Sequence, residues 1–320
     1  MYIIRTTESL APHPRPVVLA AGFFDGVHLG HKEVLGGAVK FAHEIGAEAW
    51  VLSFDRHPRE IIDSKGAPPL ITPFQSRLTL IEGTDVDGIC LVKFDAEEAL
   101  KSPETFINDI KGIFPKLVQI RCGANWRFGA KAAGTPELLR ELGDRMGFSI
   151  SIAADALYKG EPVSSTRIRK SICDGALEDA SLMLGRPYSI RETVINGRQV
   201  GSANGIATAN FQPSATLLPP TGVYVVSSVI DGRTVYGVAD LGWRPTFADA
   251  RPDAPILEVH YLDFECNLYG KSLEVSFLKR LRDETTFASP DALFEQIRKD
   301  IKATREYAIS QTTATLSTQK

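Results

Sequence analysis

The sequence predicts two domains: an α/β domain built on a parallel sheet, then a small antiparallel β domain, a barrel or sandwich, that ends in a helix. Three observations carry this. Up to about residue 185, short apolar runs alternate with stretches of helical periodicity, the pattern of a sheet covered by helices. After Leu184-Gly185-Arg186-Pro187 the chain turns to closely spaced β-rich segments, some separated by turn dipeptides such as Asn196-Gly197 and Asp231-Gly232. Near the end, Leu293, Ile297 and Ile301 recur at a spacing of four, with Ser289 as an N-cap candidate, which predicts a helix over 290–308.

In chain order, Pro16-Val17-Val18-Leu19-Ala20-Ala21 reads as a buried strand, and the glycines from Gly22 to Gly30 turn the chain out of it. Val34, Leu35, Ala38, Val39 and Ala42 then recur at helical spacing, and Trp50-Val51-Leu52-Ser53-Phe54 is the next strand, giving a β-α-β unit. Residues 88–94 and 117–120 read as strands, and 103–110, 136–146 and 170–184 as helices. In the second half, 188–195, 221–229, 234–239, 256–264 and 273–278 read as strands. The domains expected are 1–185 and 186–310. Residues 311–320, rich in Thr, Ser and Gln, read as a disordered tail.

The 320-residue chain can bury two cores, and its formal charge of −3 supplies no basic footprint for nucleic acid. Four cysteines, Cys90, Cys122, Cys173 and Cys266, are scattered with no C-x-x-C pair, as expected of reduced thiols in a cytoplasmic protein. Met1-Tyr2-Ile3-Ile4-Arg5 has no signal-peptide pattern, and no apolar run approaches the ~18 residues of a membrane span. Neither nucleic acid nor a membrane is therefore an expected partner, and the chain is expected to be a monomer or weak homo-oligomer.

The segment Gly22-Phe23-Phe24-Asp25-Gly26-Val27-His28-Leu29-Gly30-His31 joins the first long strand to a helix. Three residues apart, His28 and His31 can share one side near a helix N-terminus, where free N–H groups and the helix dipole favour anions. Gly30, without a Cβ, lets a phosphate approach the backbone between them. Asn125-Trp126-Arg127-Phe128-Gly129 follows another strand, which places it on the same sheet edge. Before a predicted helix, Ser164-Ser165-Thr166-Arg167-Ile168-Arg169 offers hydroxyls and guanidiniums for a triphosphate, although Ser and Thr at such a position also serve as N-caps.

With these segments, and with Ser53-Phe54-Asp55-Arg56-His57-Pro58, the chain resembles the bacterial bifunctional riboflavin kinase/FAD synthetase family over nearly its whole length. The resemblance implies a Rossmann-like nucleotidylyltransferase domain that transfers AMP from ATP to FMN, followed by a β-barrel kinase domain that converts riboflavin to FMN. By resemblance His28 and His31 steady the α-phosphate. Gly22, Phe24, Asp25, Gly30 and Asn125 lie in the nucleotide site, with Ser164, Ser165, Thr166 and Arg169 on the triphosphate. Phe54, Pro58 and Phe128 fall on the flavin side, where aromatic rings can stack or belong to the core. Magnesium is the implied cofactor, with ATP as co-substrate and riboflavin, FMN and FAD as the flavins handled.

In the second domain the counterpart of the family's nucleotide loop is Gly201-Ser202-Ala203-Asn204-Gly205-Ile206-Ala207-Thr208-Ala209-Asn210. By resemblance Gly205 lies against ATP, Thr208 and Asn210 hold Mg²⁺, Glu258 is the base and Arg282 is near the flavin. Ser202, Ala207 and Asp240 stand where the family usually has Arg, Pro and Asn, so the alternative is an FAD synthetase whose second domain binds flavin without turning it over. A flavin-binding regulator and a class I aminoacyl-tRNA synthetase are further readings. The complete histidine and hydroxyl clusters argue against the first, and the lack of a Lys-Met-Ser-Lys-Ser-like segment argues against the second.

Overall fold

The computed structural model describes residues 1–6, 12–63, 66–196, 207–214, 217–243, 255–264 and 266–318, with side chains to residue 311. The chain divides into two compact units, Met1–Arg167 and Ile168–Lys320. This division falls ahead of the boundary expected at 185, because the helix over 177–184 packs on strands of the second unit.

The first unit contains β1 (Tyr2–Arg5), β2 (Val17–Ala21), α1 (Leu29–Ile45), β3 (Glu48–Phe54), α2 (Arg59–Ile62), α3 (Phe74–Glu82) and β4 (Gly88–Val92). It continues with α4 (Pro103–Ile113), β5 (Leu117–Gly123), α5 (Pro136–Met146), β6 (Ser149–Ala153), the short β7 (Leu157–Tyr158) and β8 (Glu161–Pro162), and the start of α6 (Ser165–Cys173). The sheet order is β1-β4-β3-β2-β5-β6, with every neighbouring pair parallel. Alternation along β2 explains the layers. Val17, Leu19 and Ala21 face a core shared with α4 and α5, while Val18 and Ala20 face one shared with α1 and α3. From β2 the chain winds outward to β3 and β4 on one side and to β5 and β6 on the other. That reversal opens a crevice at the strand carboxyl ends, the usual ligand position in open α/β sheets.

The helix expected over 170–184 is two helices, α6 and α7 (Leu177–Leu184). Gly175 ends α6 in the left-handed region, at φ 76°, a conformation that suits glycine and breaks the helical ladder. The rest of the second unit is β9 (Tyr188–Thr193), β10 (Ala209–Phe211), β11 (Gly222–Ile230), β12 (Arg233–Trp243), β13 (Pro255–Tyr261), β14 (Ser272–Arg282) and α8 (Pro290–Thr318). The strands form one antiparallel sheet, ordered β10-β13-β12-β11-β14-β9. It curls until its two ends meet at the bridge between Ile195 and Asn210, where the Ile195 N–H donates to the Asn210 carbonyl at 2.8 Å. Two register shifts between β11 and β14 sharpen the twist that closure requires.

The tail expected to be disordered is helical through residue 318, as the last turns of α8. Between 291 and 318 there is neither proline nor glycine, so an established helix meets no breaker.

Candidate active sites

The carboxyl ends of β2, β5 and β6 enclose a cavity of about 280 Å³, walled by His28, His31, Asn125, Trp126, Asp155, Ser164 and Ser165 among others. His28 is the N-cap of α1, and its Nδ1 accepts the His31 N–H at 3.3 Å. An Nδ1 that accepts is unprotonated, so the neutral ring carries its hydrogen on Nε2, the atom able to donate to an anion. The two imidazoles stack with centroids 3.6 Å apart and planes 17° apart. Gly30 permits this, since a Cβ there would lie 3.3 Å from the His28 ring.

His31 titrates well below the usual 6.5, first because burial disfavours the imidazolium, then because His28 and Arg77 repel it. Its Nδ1 is buried without a hydrogen-bond partner among the described residues. The pair is therefore a neutral donor site with one unsatisfied polar atom, and an incoming anion would favour its protonation.

Other expected residues have structural work. Asp25 is 2% exposed, and its carboxylate accepts the N–H groups of Ile71 at 3.1 Å and Thr72 at 3.0 Å. Its carbonyl accepts the Ser165 hydroxyl at 3.0 Å. Asp25 thus braces the loop rather than reaching a phosphate, which its charge would repel. Phe24 is 1% exposed, with its ring against Gly22 and His31, and supports the histidines from below. Gly22 lies on the cavity wall. Ser164 caps α6, accepting the Arg167 N–H at 3.3 Å. Thr166 is exposed on α6 outside the cavity wall, and Arg169 lies past the division between the units.

Of the two readings open for the flavin-side aromatics, the packing places both rings in the core. Phe54 and Phe128 are core rings, 8% and 4% exposed, packed with Phe94 and Phe106. Pro58 is half-buried at the start of α2, away from the cavity wall. Trp126, which sequence reasoning passed over, is the ring on the wall, stacked on Phe128 at 4.8 Å and 20°. Arg77 was also missed. It is 2% exposed, donates to the carbonyls of Phe23 (3.1 Å) and Phe54 (2.7 Å), and lies 4.2 Å above the Phe23 ring. Burial lowers its pKa to about 10, against the pull of Asp25, Asp55 and Glu60, and it stays cationic at neutral pH.

In the second unit a cavity of about 340 Å³ is walled by Thr208, Asp240, Glu258, His260, Arg282, Glu284, Phe287 and the α8 residues Leu293, Ile297, Asp300 and Ile301. Sheet register explains the grouping. Asn210 is paired with Glu258, Glu258 with Asp240, Asp240 with Val223 and Val223 with Arg282, so these positions form one row across four strand pairings. The Asn210 amide donates to the Thr208 carbonyl and Oγ1, each at 3.3 Å, which turns two neutral oxygen donors to one neighbourhood. Such a donor set fits a hard cation already held by nucleotide phosphates. His260 Nδ1 donates to the Ala207 carbonyl at 2.9 Å, a tie that a proline at 207 would leave intact. Ser202 and Gly205 lie outside the described residues.

A larger cavity, about 530 Å³, lies in the first unit between β4 and α4. Lys101 there pairs with Glu98 and Asp109 at 2.7 Å each, and the cavity holds none of the expected residues.

Comparison with known proteins matches both units. Residues 10–167 match the family model for FAD synthetase, and residues 184–308 that for riboflavin kinase. The bifunctional riboflavin kinase/FMN adenylyltransferase of Buchnera aphidicola is 32% identical over 96% of this chain and 99% of its own. Its namesake from Bacillus subtilis is 34% identical over 88% of this chain and 90% of its own. That from Escherichia coli K12 is 33% identical over 96% and 98%. A solved structure from Streptococcus pneumoniae, described as a macrolide-efflux protein, aligns at a TM-score of 0.84 and 29% identity, covering 95% of this chain and 99% of its own. No helix among the described residues is long and apolar enough to cross a membrane, and that likeness is one of fold. On two matching family models and relatives covering nearly the full length, the chain belongs to the bifunctional riboflavin kinase/FMN adenylyltransferase family.

Proposed function

We propose that the second unit phosphorylates riboflavin to FMN with ATP, and that the first transfers AMP from ATP to FMN, giving FAD and pyrophosphate. The observation that carries the reading is the neutral, stacked His28–His31 pair at the N-terminus of α1, in one cavity with Asn125, Ser164 and Ser165. In the adenylylation step an oxygen of the FMN phosphate attacks the α-phosphorus of ATP, and the bond to pyrophosphate breaks. That nucleophile is already ionised, so the protein's task is to align anions and offset their charge. His28 Nε2–H and the His31 ring donate to the α-phosphate. Asn125 holds nucleotide, Ser164 and Ser165 take the triphosphate, and Trp126 offers a ring face on the wall.

In the kinase step the ribityl hydroxyl must lose a proton as it attacks the γ-phosphorus, and Glu258 takes it. Thr208 and Asn210 supply oxygens to Mg²⁺, which when bound offsets phosphate charge. Gly205 approaches ATP, and Arg282 faces the flavin. We infer that the protein works in the cytoplasm as a monomer or weak homo-oligomer, with no nucleic-acid or membrane partner. Incubation with Mg-ATP and either riboflavin or FMN, followed by chromatography of the flavins, tests both steps. FMN and FAD from riboflavin, and FAD from FMN, are expected. FAD from FMN alone would leave an FAD synthetase with a kinase domain that does not turn over.

A further inference from the structure

Asp300, on α8, is 5% exposed and was marked by no sequence motif. Its carboxylate accepts from Arg282 Nε at 3.1 Å and from Arg282 Nη2 at 2.9 Å, a two-point grip on one edge of the guanidinium. One turn earlier on the helix, Gln296 donates its Nε2 to Asp300 Oδ1 at 2.9 Å. Arg282 Nη1 donates to the Asp283 carbonyl at 3.0 Å. A guanidinium has about five N–H donors in a rigid fork. These bonds engage three of them among the described residues, and one hydrogen on each terminal nitrogen is left for the cavity that Arg282 lines.

The ion pair also sets the character of the cavity. With Asp300 against it, Arg282 brings no net charge, while Phe287, Leu293, Ile297 and Ile301 supply apolar wall and Asp240 and Glu258 repel anions. The apolar side of the wall, with Arg282 neutralised, suits an uncharged ring bearing hydrogen-bond acceptors.

We propose that Asp300 is the positioning residue of the riboflavin site: it fixes the plane of Arg282 and ties α8 to β14, so that two guanidinium hydrogens face acceptors on the flavin ring. The proposal rests on assigning this cavity to riboflavin. Both Asp300 oxygens are taken up by Arg282 and Gln296, so its removal acts on flavin binding through Arg282 and leaves ATP binding and the chemical step alone.

The test is steady-state FMN formation from riboflavin and Mg-ATP by the full chain, comparing wild type with D300A, D300N, R282A and the D300A/R282A double variant. D300A is expected to raise KM for riboflavin about tenfold while kcat and KM for ATP change less than about threefold. D300N, which keeps one acceptor, falls between D300A and wild type. The double variant is no worse than R282A, because Asp300 has nothing left to position. If D300A loses its circular-dichroism signature, D300N carries the comparison with the same direction expected. An unchanged riboflavin KM, an equal rise in both KM values, or additive losses in the double variant would overturn the proposal. A wild-type protein that makes no FMN would overturn the riboflavin assignment itself, and the proposal with it.

Discussion

The two cavities treat charge in opposite ways. In the first unit the wall presents imidazoles, hydroxyls and an amide, with Asp155 the one acidic residue among those described, and burial holds the His31 pKa well below its usual value. In the second, Asp240, Glu258, Glu284 and Asp300 surround Arg282. In the proposed reactions the nucleophiles account for the contrast. A phosphate is already an anion and a carboxylate beside it would repel it, whereas a hydroxyl needs a base to take its proton. A site's net charge follows from what attacks, even where both sites bind the same ATP.

The contrast can be broken most directly at Glu258. E258Q should lower FMN formation from riboflavin about 10²- to 10⁴-fold while FAD formation from FMN stays within about twofold, as product chromatography would read. Residual activity near wild type would remove Glu258 from the base role. The reciprocal variant, H31A, should lower FAD formation from FMN about 10²- to 10³-fold and spare the kinase step. A loss in both steps would mean that the two units do not separate as the cavities suggest.

Stability sharpens the same comparison. D25A leaves the Ile71 and Thr72 N–H groups without their acceptor, and should destabilise the first unit by about 2–4 kcal/mol in denaturant titration, with little effect on the second. The smallest effect is on pH dependence. The folded pKa of His31 lies below its unfolded value, so the unfolded chain binds the proton more readily. This contribution is fully present above about pH 6.5 and is lost as pH falls below it. H31N should flatten that part of the pH–stability curve for the first unit. An unaltered curve would place the acid sensitivity elsewhere.

Much of the fold was legible because periodicity is local. β2, α1, β3 and α5 lie close to where apolar spacing predicted them, and the histidine loop announced itself by falling between the first two. The features that were not legible depend on partners far along the chain. Asp25 reads as a turn residue until Ile71 and Thr72, more than forty positions away, supply its hydrogen bonds. Arg77 carries no signal in the sequence, yet carbonyls on two separate segments draw it inside. Trp126 and Phe128 are two apart on the same loop, and only packing decides which ring faces the cavity. β10 has three residues, too few for any period to show.

Asp25 has a consequence for how the first unit meets its nucleotide. One carboxylate and its own carbonyl join three stretches of chain: the histidine loop, residues 71–72 and the first turn of α6. These stretches are ordered by bonds the protein makes to itself. The conformational entropy of arranging them is therefore lost during folding, and little remains to be lost on binding. Preorganisation of this kind should show as tight nucleotide binding with a small unfavourable entropy, and as a site that the wrong anion cannot readily reshape.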